Sequence, residues 1–493
     1  MPQLPMQNSL KTIYVRKAVG VHRQTVEQTT GADAMPSSSH PVAKMQGSRV
    51  ALLTPYGGAN FGDAAIQDAV IANLRSRLIN LCVSGITLSS DNFLERHGER
   101  AFPLCASSVP FYGMYNPWKS EQIDNNDSQL NARVSKGWRN ALKESLRKIP
   151  GARLLGRKLQ PYFATIRREV RHTVQGFRFL RTQDLLIVSG GGQLDEEWGG
   201  PWGHPYCLFK WAMIAKFARI PFAIVSVGAG KTASPLSRFF LSIALRLARY
   251  RSYRDMNSRS IATNCLSRAG EDAVVPDLAF SLSSSVLPSS AGIRSRARGR
   301  PIIALSPIAY GKAGGWPVQN QAVYERYKQN LVQVVAQLLS RGYFLVLVWS
   351  SVGDDDKVVS EILGCLDDES KARVAEQIYV PTITGWKGIA AVLVDADFLI
   401  ASRLHSTILG FLTKTPTVAI SFDPKVDWVM QDLEQTDYLL QISNFVAEDV
   451  IQALDRLSLS REQVVEQIKA YQERISPLLS TQYDALVNLA PAS

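Results

Sequence analysis

The chain contains few cysteines, and they are scattered. The five cysteines among 493 residues are odd in number and show no CxxC spacing, which argues against a disulfide framework and against a zinc ribbon. No run of about 18 or more uncharged apolar residues occurs, so no transmembrane helix is expected. A reducing, cytoplasmic setting is the simplest interpretation.

Several familiar site motifs are also missing. The glycine-rich loops match neither a Walker loop nor the dinucleotide-binding fingerprint, so binding of ATP or NAD is not supported. The chain has no Gly-x-Ser-x-Gly elbow and no metalloprotease His pair. The three acidic residues at 195–197 are adjacent in sequence, and adjacent side chains seldom converge on one ion. We therefore predict no metal site.

Positive charge is concentrated in one segment. Between residues 133 and 181, fourteen Arg and Lys residues face only two Glu, so this segment matches the net charge of +12 of the whole chain. Trp138, Leu142, Leu146 and Ile149 recur at helical spacing and predict a basic amphipathic helix. Such a helix is typical of peripheral contact with an anionic membrane, and a solvated helix packed on the protein body is the equal alternative. No reader motif accompanies the charge, so nucleic acid is not a predicted partner.

Apolar strands alternate with helical patterns along most of the chain. This alternation predicts an α/β protein with two Rossmann-like domains that face a cleft, and with a basic helical insertion in the first domain. The expected segments are a disordered tail (1–46), a first domain (47–282) with its insertion at about 107–182, a linker (283–300), a second domain (301–445) and C-terminal helices (446–493).

Arg403 and His405 directly follow an apolar run that is predicted to be a buried strand. In open α/β sheets, ligands bind at the carboxyl ends of the strands. An arginine there offers a cationic fork for carboxylate or phosphate, and a histidine can exchange a proton near neutral pH. The alternative is a simple strand-to-helix turn in which Arg403 pairs with a structural carboxylate.

Two further loops precede predicted helices. The first carries Asn60 and Asp63 beside glycines that let backbone amides approach a ligand. Asp63 could act as a base or bind a sugar hydroxyl, or it could simply cap the helix. The second loop contains Gly191 and Gly192 and leads to Asp195. Carboxylates beside aromatic residues suit sugar rings, and an ordinary aromatic core is the alternative.

His204, Lys231 and Arg254 are the remaining candidates. His204 lies among the aromatic residues that follow the second loop. Lys231 follows a third glycine loop that could cradle a phosphate. Arg254 ends a short predicted strand, where it could bind a substrate anion or form an ion pair with Asp255.

Taken together, these segments resemble the polysaccharide pyruvyl transferase family. The matching motifs, in chain order, are GGANFGDAAI (57–66), SGGGQLD (189–195), SVGAG (226–230), YRD (253–255), PDLAF (276–280), SRLHS (402–406) and DPK (423–425). The match covers roughly residues 49–441, without the segment 107–181. The order Pro276-Asp277 reverses the more usual Asp-Pro order of the family, in an expected structural turn.

The resemblance implies a two-domain fold like that of GT-B glycosyltransferases. It also implies transfer of pyruvate from phosphoenolpyruvate onto two hydroxyls of a sugar, as a cyclic ketal, with no cofactor beyond this donor. The acceptor would be a saccharide, including a lipid-linked one, used for exopolysaccharide or cell-surface glycan at the inner face of the cytoplasmic membrane.

The resemblance also implies roles for the candidate residues. Phosphoenolpyruvate carries two anionic groups, so cations must converge on it. His405 is expected to handle protons, with His204 or Asp63 as its partner. The expected substrate contacts are Arg403 and Arg254, then Lys425 and Lys231, together with Asn60, Gly191, Gly192 and Asp195.

Two other functions fit the same residues. The first is a GT-B glycosyltransferase whose cations hold the diphosphate of a nucleotide sugar. The second is a non-catalytic saccharide-binding protein attached through the basic segment. Dependence on phosphoenolpyruvate would separate the pyruvyl transferase from both.

Overall fold

The computed structural model describes residues 47–106, 152–197, 199–230, 232–266, 272–313 and 319–490. Three expectations therefore fall outside the described residues: the tail (1–46), the first part of the insertion (107–151) and the role of Lys231. All the described residues belong to one compact unit, Ala43–Ser493.

The first sheet is built from short, apolar, parallel strands. They are β1 (Arg49–Leu53), β2 (Cys82–Thr87), β3 (Ala101–Pro103), β4 (Leu185–Ser189), β5 (Gly192–Leu194), β6 (Phe222–Ala229), β7 (Tyr250–Tyr253) and β8 (Ala273–Val274). Their order is β3-β2-β1-β4-β6-β7-β8, with β5 paired to β6. Helices cover both faces of such a sheet, which explains why β4 is buried along its whole length.

The helices described in the first domain connect these strands. They are α1 (Phe61–Arg75), α2 (Ser90–His97), α3 (Ala152–Leu180), α4 (His204–Ala218), α5 (Pro235–Leu247) and α6 (Met256–Leu266). Helix α3 forms most of the second part of the expected insertion. It buries His172 and Leu180, and a Cβ added at Gly176 would lie 3.1 Å from the ring of Trp211 on α4. This part of the basic segment is therefore packed on the first domain.

The second sheet repeats the same plan. Its strands are β9 (Ile302–Ser306), β10 (Phe344–Leu347), β11 (Ile378–Tyr379), β12 (Phe398–Ala401), β13 (Thr417–Ser421) and β14 (Leu439–Gln441), in the parallel order β11-β10-β9-β12-β13-β14. Its helices are α7 (Ile293–Ala297), α8 (Gln321–Ser340), α9 (Asp355–Gly364), α10 (Asp368–Gln377), α11 (Trp386–Asp395), α12 (Leu404–Leu412) and α13 (Pro424–Asp432). Helix α7 lies within the expected linker.

The order of the strands places the candidate loops. In the first sheet β1 lies between β2 and β4, and in the second sheet β9 lies between β10 and β12. At such a switch point neighbouring strands lead into helices on opposite faces, which opens a crevice at their carboxyl ends. The segments after β1, β4 and β12 carry Asp63, Gly191 and His405. The predicted pair of parallel α/β domains is confirmed.

The chain ends with α14 (Ala447–Leu459) and α15 (Arg461–Leu489), and α15 contacts both domains. The Gln472 side chain donates to the carbonyl of Phe411 in the second domain at 2.6 Å. Further along the helix, Asp484 pairs with Arg77 of the first domain at 2.7 Å. The last helix therefore ties the two domains together.

Truncation of a buried leucine tests this docking. Leu486 of α15 is fully buried, whereas Leu478 of the same helix is 47% exposed. Leu486→Ala leaves a cavity and is expected to lower the free energy of unfolding by about 2–5 kcal/mol. Leu478→Ala, the matched control, is expected to change it by about 0.5 kcal/mol or less. Urea unfolding followed by circular dichroism measures both, and equal losses would contradict the docking.

Candidate active site

The first glycine-rich loop leads from β1 into α1 at the boundary between the domains. Asn60 is the N-cap of α1, and its side-chain Oδ1 accepts a hydrogen bond from the amide of Gly62 at 2.9 Å. The amide of Phe61 donates to the carbonyl of Ser350 in the second domain, also at 2.9 Å. Asp63 lies in the first turn of α1, so the capping role considered for it belongs to Asn60.

A close approach between the domains occurs at Gly62. A Cβ added at this position would lie only 2.1 Å from Nδ1 of His405. Nothing larger than glycine therefore fits while the imidazole keeps its place. Helix α12 begins at Leu404, so His405 is in its first turn. The first turns of α1 and α12 meet across the boundary, which brings Asp63 into the neighbourhood of His405.

His405, Asp277 and Arg254 form a buried charged cluster. Oδ2 of Asp277 lies 3.8 Å from Nε2 of His405 and 3.5 Å from Nη1 of Arg254. Both Oδ2 of Asp277 and Nε2 of His405 are buried, and neither has a hydrogen-bond partner among the described residues. Burial would raise the pKa of Asp277, but His405 and Arg254 hold this pKa below its usual value. Asp277 therefore stays ionised next to the imidazole of His405.

Arg403 is held by a buried carboxylate. Its Nε and Nη2 atoms donate to the two carboxylate oxygens of Asp355, each at 2.8 Å. Oδ1 of Asp355 also accepts a hydrogen bond from the amide of Ala309 at 3.1 Å. The structural ion pair considered for Arg403 is thus present. The guanidinium also contributes positive charge to the site, since it acts to lower the pKa of Asp63.

The carboxyl group of Asp63 is largely shielded from solvent. Burial raises the pKa of Asp63 above its usual value; the positive charge of His405 opposes this shift, and Asp277 adds to it. The second glycine loop lies against this carboxyl, because a Cβ added at Gly191 would be 3.7 Å from Oδ1 of Asp63. Gly191 has φ 71°, a left-handed conformation that favours glycine. A carboxyl of this kind is suited to exchanging a proton.

Lys425 approaches the site from the second domain. Its Nζ pairs with Asp423 at 2.8 Å, and the side chain remains 30% exposed. The cleft beside it is lined by Arg254, Asp255, Pro276, Asp277 and Phe280 of the first domain, by Lys425, Trp428, Val429 and Asp432 of the second domain, and by Tyr471 of α15. Cations, carboxylates and aromatic rings thus share one cleft between the domains.

Asp195 and Gly192 face this region from the first domain. A Cβ added at Gly192 would lie 3.5 Å from Oδ2 of Asp195. Burial raises the pKa of Asp195, whereas the amide of Glu197 and the charge of Lys425 act to lower it. The influence of Lys425 indicates that Asp195 faces the second domain. Within the described ranges, no group of three or more His, Cys, Asp and Glu residues could hold a metal ion.

His204 lies inside the first domain, at the start of α4. Its Nε2 is 2.6 Å from Oε1 of Gln193, which belongs to the second glycine loop. Burial lowers the pKa of His204 to about 4, so this imidazole is neutral near neutral pH. The described contacts connect His204 with the second glycine loop and not with His405.

Of the residues predicted from the sequence, the structure brings together Asp63, Gly191, Arg254, Arg403 and His405.

Sequence reasoning missed two of the carboxylates. The sequence motif assigns Asp277 only to a structural turn. Asp277 follows the end of β8 after two residues, and this position near a strand end is the signal that could have identified it. Asp355 is the first residue of α9 and the middle residue of the acidic run 354–356, where nothing in the local sequence distinguishes it from its neighbours. Only the pairing with Arg403 identifies it.

The pair of Asp355 and Arg403 yields a stability prediction. Asp355→Ala removes a fully buried carboxylate and leaves the guanidinium of Arg403, whose side chain is only 16% exposed, without this ion pair. We expect the free energy of unfolding to fall by about 3–5 kcal/mol. Glu473→Ala, which removes an exposed carboxylate of α15, is the control and is expected to change it by about 0.5 kcal/mol or less. Chemical unfolding measures both variants. A loss below about 1 kcal/mol for Asp355→Ala would show that the pair is not buried as described.

Comparison with known proteins adds the family and supports the fold. The family model "Polysaccharide pyruvyl transferase" matches residues 60–424. No curated protein is significantly similar in sequence. Among solved structures, a putative UDP-N-acetylglucosamine 2-epimerase from Listeria monocytogenes is 10% identical with a TM-score of 0.50, covering 89% of this chain and 95% of its own. A UDP-glucose: anthocyanidin 3-O-glucosyltransferase, solved in complex with UDP, is 12% identical with a TM-score of 0.50, covering 91% and 99%.

These similarities carry different information. At such low identity, the solved structures establish a shared GT-B-like fold and nothing about the substrate. The family model spans both domains, from the start of α1 to the start of α13, and includes the motifs that hold Asp63 and His405. The family predicted from the motifs is confirmed: this chain belongs to the polysaccharide pyruvyl transferase family.

Proposed function

We propose that the protein transfers the pyruvyl group of phosphoenolpyruvate to a saccharide and forms a cyclic ketal on two of its hydroxyls. The observation that carries this proposal is the meeting of His405, Asp277 and Arg254 beside Asp63 where the two domains meet. Asp277 and Arg254 also line the cleft between the domains. Proton exchange next to an anion-binding cation is what this reaction requires.

The donor is held by cations from both domains. Arg254 and Lys425 line the cleft from opposite sides, and they are the proposed ligands of the phosphate and the carboxylate of phosphoenolpyruvate. Arg403 adds positive charge from its pair with Asp355. Asn60, Gly191, Gly192 and Lys231 remain proposed substrate contacts, the glycines because they let a substrate approach the backbone.

Protonated His405, stabilised by Asp277, delivers a proton to the methylene carbon of phosphoenolpyruvate. The central carbon then develops oxocarbenium character, and the ionised carboxylate of Asp63 accepts the proton of the attacking sugar hydroxyl. The second hydroxyl displaces phosphate, closes the ketal ring and leaves its proton with the phosphate. Asp63 then returns the proton of the first hydroxyl to His405, which restores both groups, and the proton of the second hydroxyl leaves with the phosphate. Asp63 is the better partner for His405, since neutral His204 is engaged with Gln193.

The acceptor is proposed to be a saccharide of exopolysaccharide or cell-surface glycan synthesis, including lipid-linked forms at the cytoplasmic face of a membrane. Trp428 lines the cleft together with Asp255 and Asp432. An aromatic ring beside carboxylates is a typical surface for a sugar ring, and Asp195 faces the same region. No helix in the described part of the chain is both long enough and apolar enough to cross a bilayer.

Purified protein incubated with phosphoenolpyruvate and a panel of saccharides tests the reaction. We expect phosphate release that depends on the acceptor, together with a pyruvyl increase in the mass of the product. His405→Gln keeps a polar side chain but cannot deliver the proton, so turnover is expected to fall by about 10²–10⁴. Turnover with a nucleotide sugar instead of phosphoenolpyruvate would indicate a glycosyltransferase. Saccharide binding without turnover would indicate a non-catalytic role.

Asp63→Asn is expected to reduce turnover by about 10²–10⁴ and yet to stabilise the protein at neutral pH. The pKa of Asp63 is raised above 3.8 in the folded state, so the folded protein binds this proton more tightly than the unfolded chain. Stability from this group is therefore lost as the pH rises above about 3.8, and asparagine removes that loss.

Thermal unfolding over a series of pH values measures this effect. The midpoint of Asp63→Asn is expected to lie above that of the wild type near pH 7, and the difference shrinks as the pH falls towards 3.8. Asp91→Asn is the matched control, because Asp91 occupies the first turn of α2 and is exposed. A lower midpoint for Asp63→Asn near pH 7 would contradict the poorly solvated carboxyl.

A further inference from the structure

Exposed apolar side chains gather on one face of the first domain. Six of them are between 42% and 68% exposed: Ile166, Val170 and Val174 on α3, Trp202 before α4, Phe217 on α4 and Phe239 on α5. Within the described ranges, Trp202, Phe217 and Phe239 are the exposed Trp and Phe residues of the chain. Apolar residues scattered singly over a surface are ordinary, but a concentration of exposed aromatic rings indicates a contact surface.

The three helices that carry these side chains form one layer. Leu180 of α3, Trp211 of α4 and Leu241 of α5 share a buried core on the same face of the first sheet. On the outside, the ring of Trp202 lies 5.5 Å from that of Phe240, so the aromatic residues of α4 and α5 are continuous. The other face of the sheet belongs to the core that joins the two domains. The outer surface of this layer, here called the α3–α5 face, is therefore directed away from that core.

The exposed charged side chains of these three helices are basic. The exposed cations are Arg167, Arg168, Arg171 and Arg178 of α3, Lys216 and Arg219 at the end of α4, and Arg238 and Arg246 of α5. The only acidic residue in the sequences of these helices is Glu169. Its Oε1 accepts hydrogen bonds from Lys210 at 2.7 Å and from Tyr206 at 3.0 Å, so its charge is already neutralised.

Helix α3 is packed on the first domain through its other side, so its exposed apolar residues are not needed for that packing. Glu169 and buried Lys210 bind it to α4, and His172 contacts the carbonyl of Pro103 at 2.9 Å. Ile166, Val170 and Val174 follow one another at four-residue spacing, which places them in a row on the helix surface. This row remains accessible after the helix has been packed.

We infer that the α3–α5 face docks on the anionic surface of a lipid bilayer. Aromatic rings are favoured at the boundary between headgroups and acyl chains, and arginine binds lipid phosphate through paired hydrogen bonds. The combination of exposed Trp and Phe with a large excess of cations over carboxylates on these helices matches such a surface in both respects. This inference concerns where the protein works and does not depend on the reaction proposed above.

Sedimentation of the full chain with lipid vesicles tests the inference. We expect binding to vesicles of phosphatidylglycerol and phosphatidylcholine, little binding to phosphatidylcholine alone, and weakening as salt is raised from about 0.1 M to about 0.5 M. Phe217→Ser combined with Phe239→Ser is expected to lower the affinity for anionic vesicles about tenfold or more, because the inserted rings are lost. The matched control is Val446→Ser combined with Leu459→Ser, which changes exposed residues near the ends of α14 and is expected to bind normally.

A second pair of variants tests the charge. Arg167→Gln and Arg171→Gln are each expected to weaken binding to anionic vesicles about fivefold. These side chains are exposed, so the midpoint of thermal unfolding is expected to stay the same.

Two results would overturn the inference. The first is vesicle binding that is equal on neutral and anionic lipid or is unchanged in the Phe217/Phe239 variant. The second is a concentration-dependent dimer, detected by analytical ultracentrifugation, that the same variant abolishes while vesicles never bind. The second result would assign the α3–α5 face to contact between copies of the chain.

Discussion

The arrangement of the site depends on the close approach of two helix starts at Gly62. Because residue 62 has no side chain, the imidazole of His405 from the second domain can lie against the first turn of α1. Asp63 follows in that turn, and Asp277 lies on the other side of the imidazole. A methyl group at this position would separate the two domains or displace His405. Either change would increase the distance between His405 and Asp63.

Buried charge is the second constraint, and it is handled in two different ways. Asp355 and Arg403 form a short, paired contact that fixes the end of β12. Asp277, Arg254 and His405 are held at longer distances, with buried polar atoms still lacking partners among the described residues. The first arrangement is typical of a structural ion pair. The second leaves donors and acceptors ready for a substrate, at a cost in stability that the rest of the core must offset.

The two proposals assign different surfaces of the first domain to different tasks. The carboxyl ends of its strands contribute Asp277 and Arg254 to the cleft and place Asp63 beside His405. The α3–α5 helices cover the face of the first sheet that is turned away from the core joining the domains. A membrane-bound enzyme of this shape could keep its cleft open to an acceptor while the α3–α5 face stays on the lipid. The second domain, tied back through α15, completes the cleft.

The sequence by itself determined the class of fold, the family and the segments that carry Asp63, Gly191, Arg254 and His405, because alternating apolar patterns and strand-end motifs are local properties. It also located the basic segment. It did not determine that Asn60 rather than Asp63 caps α1, that Asp355 holds Arg403, or that His204 turns to Gln193. Those contacts join residues far apart in the chain or depend on side-chain direction, and only the packing of the two sheets decides which groups become neighbours.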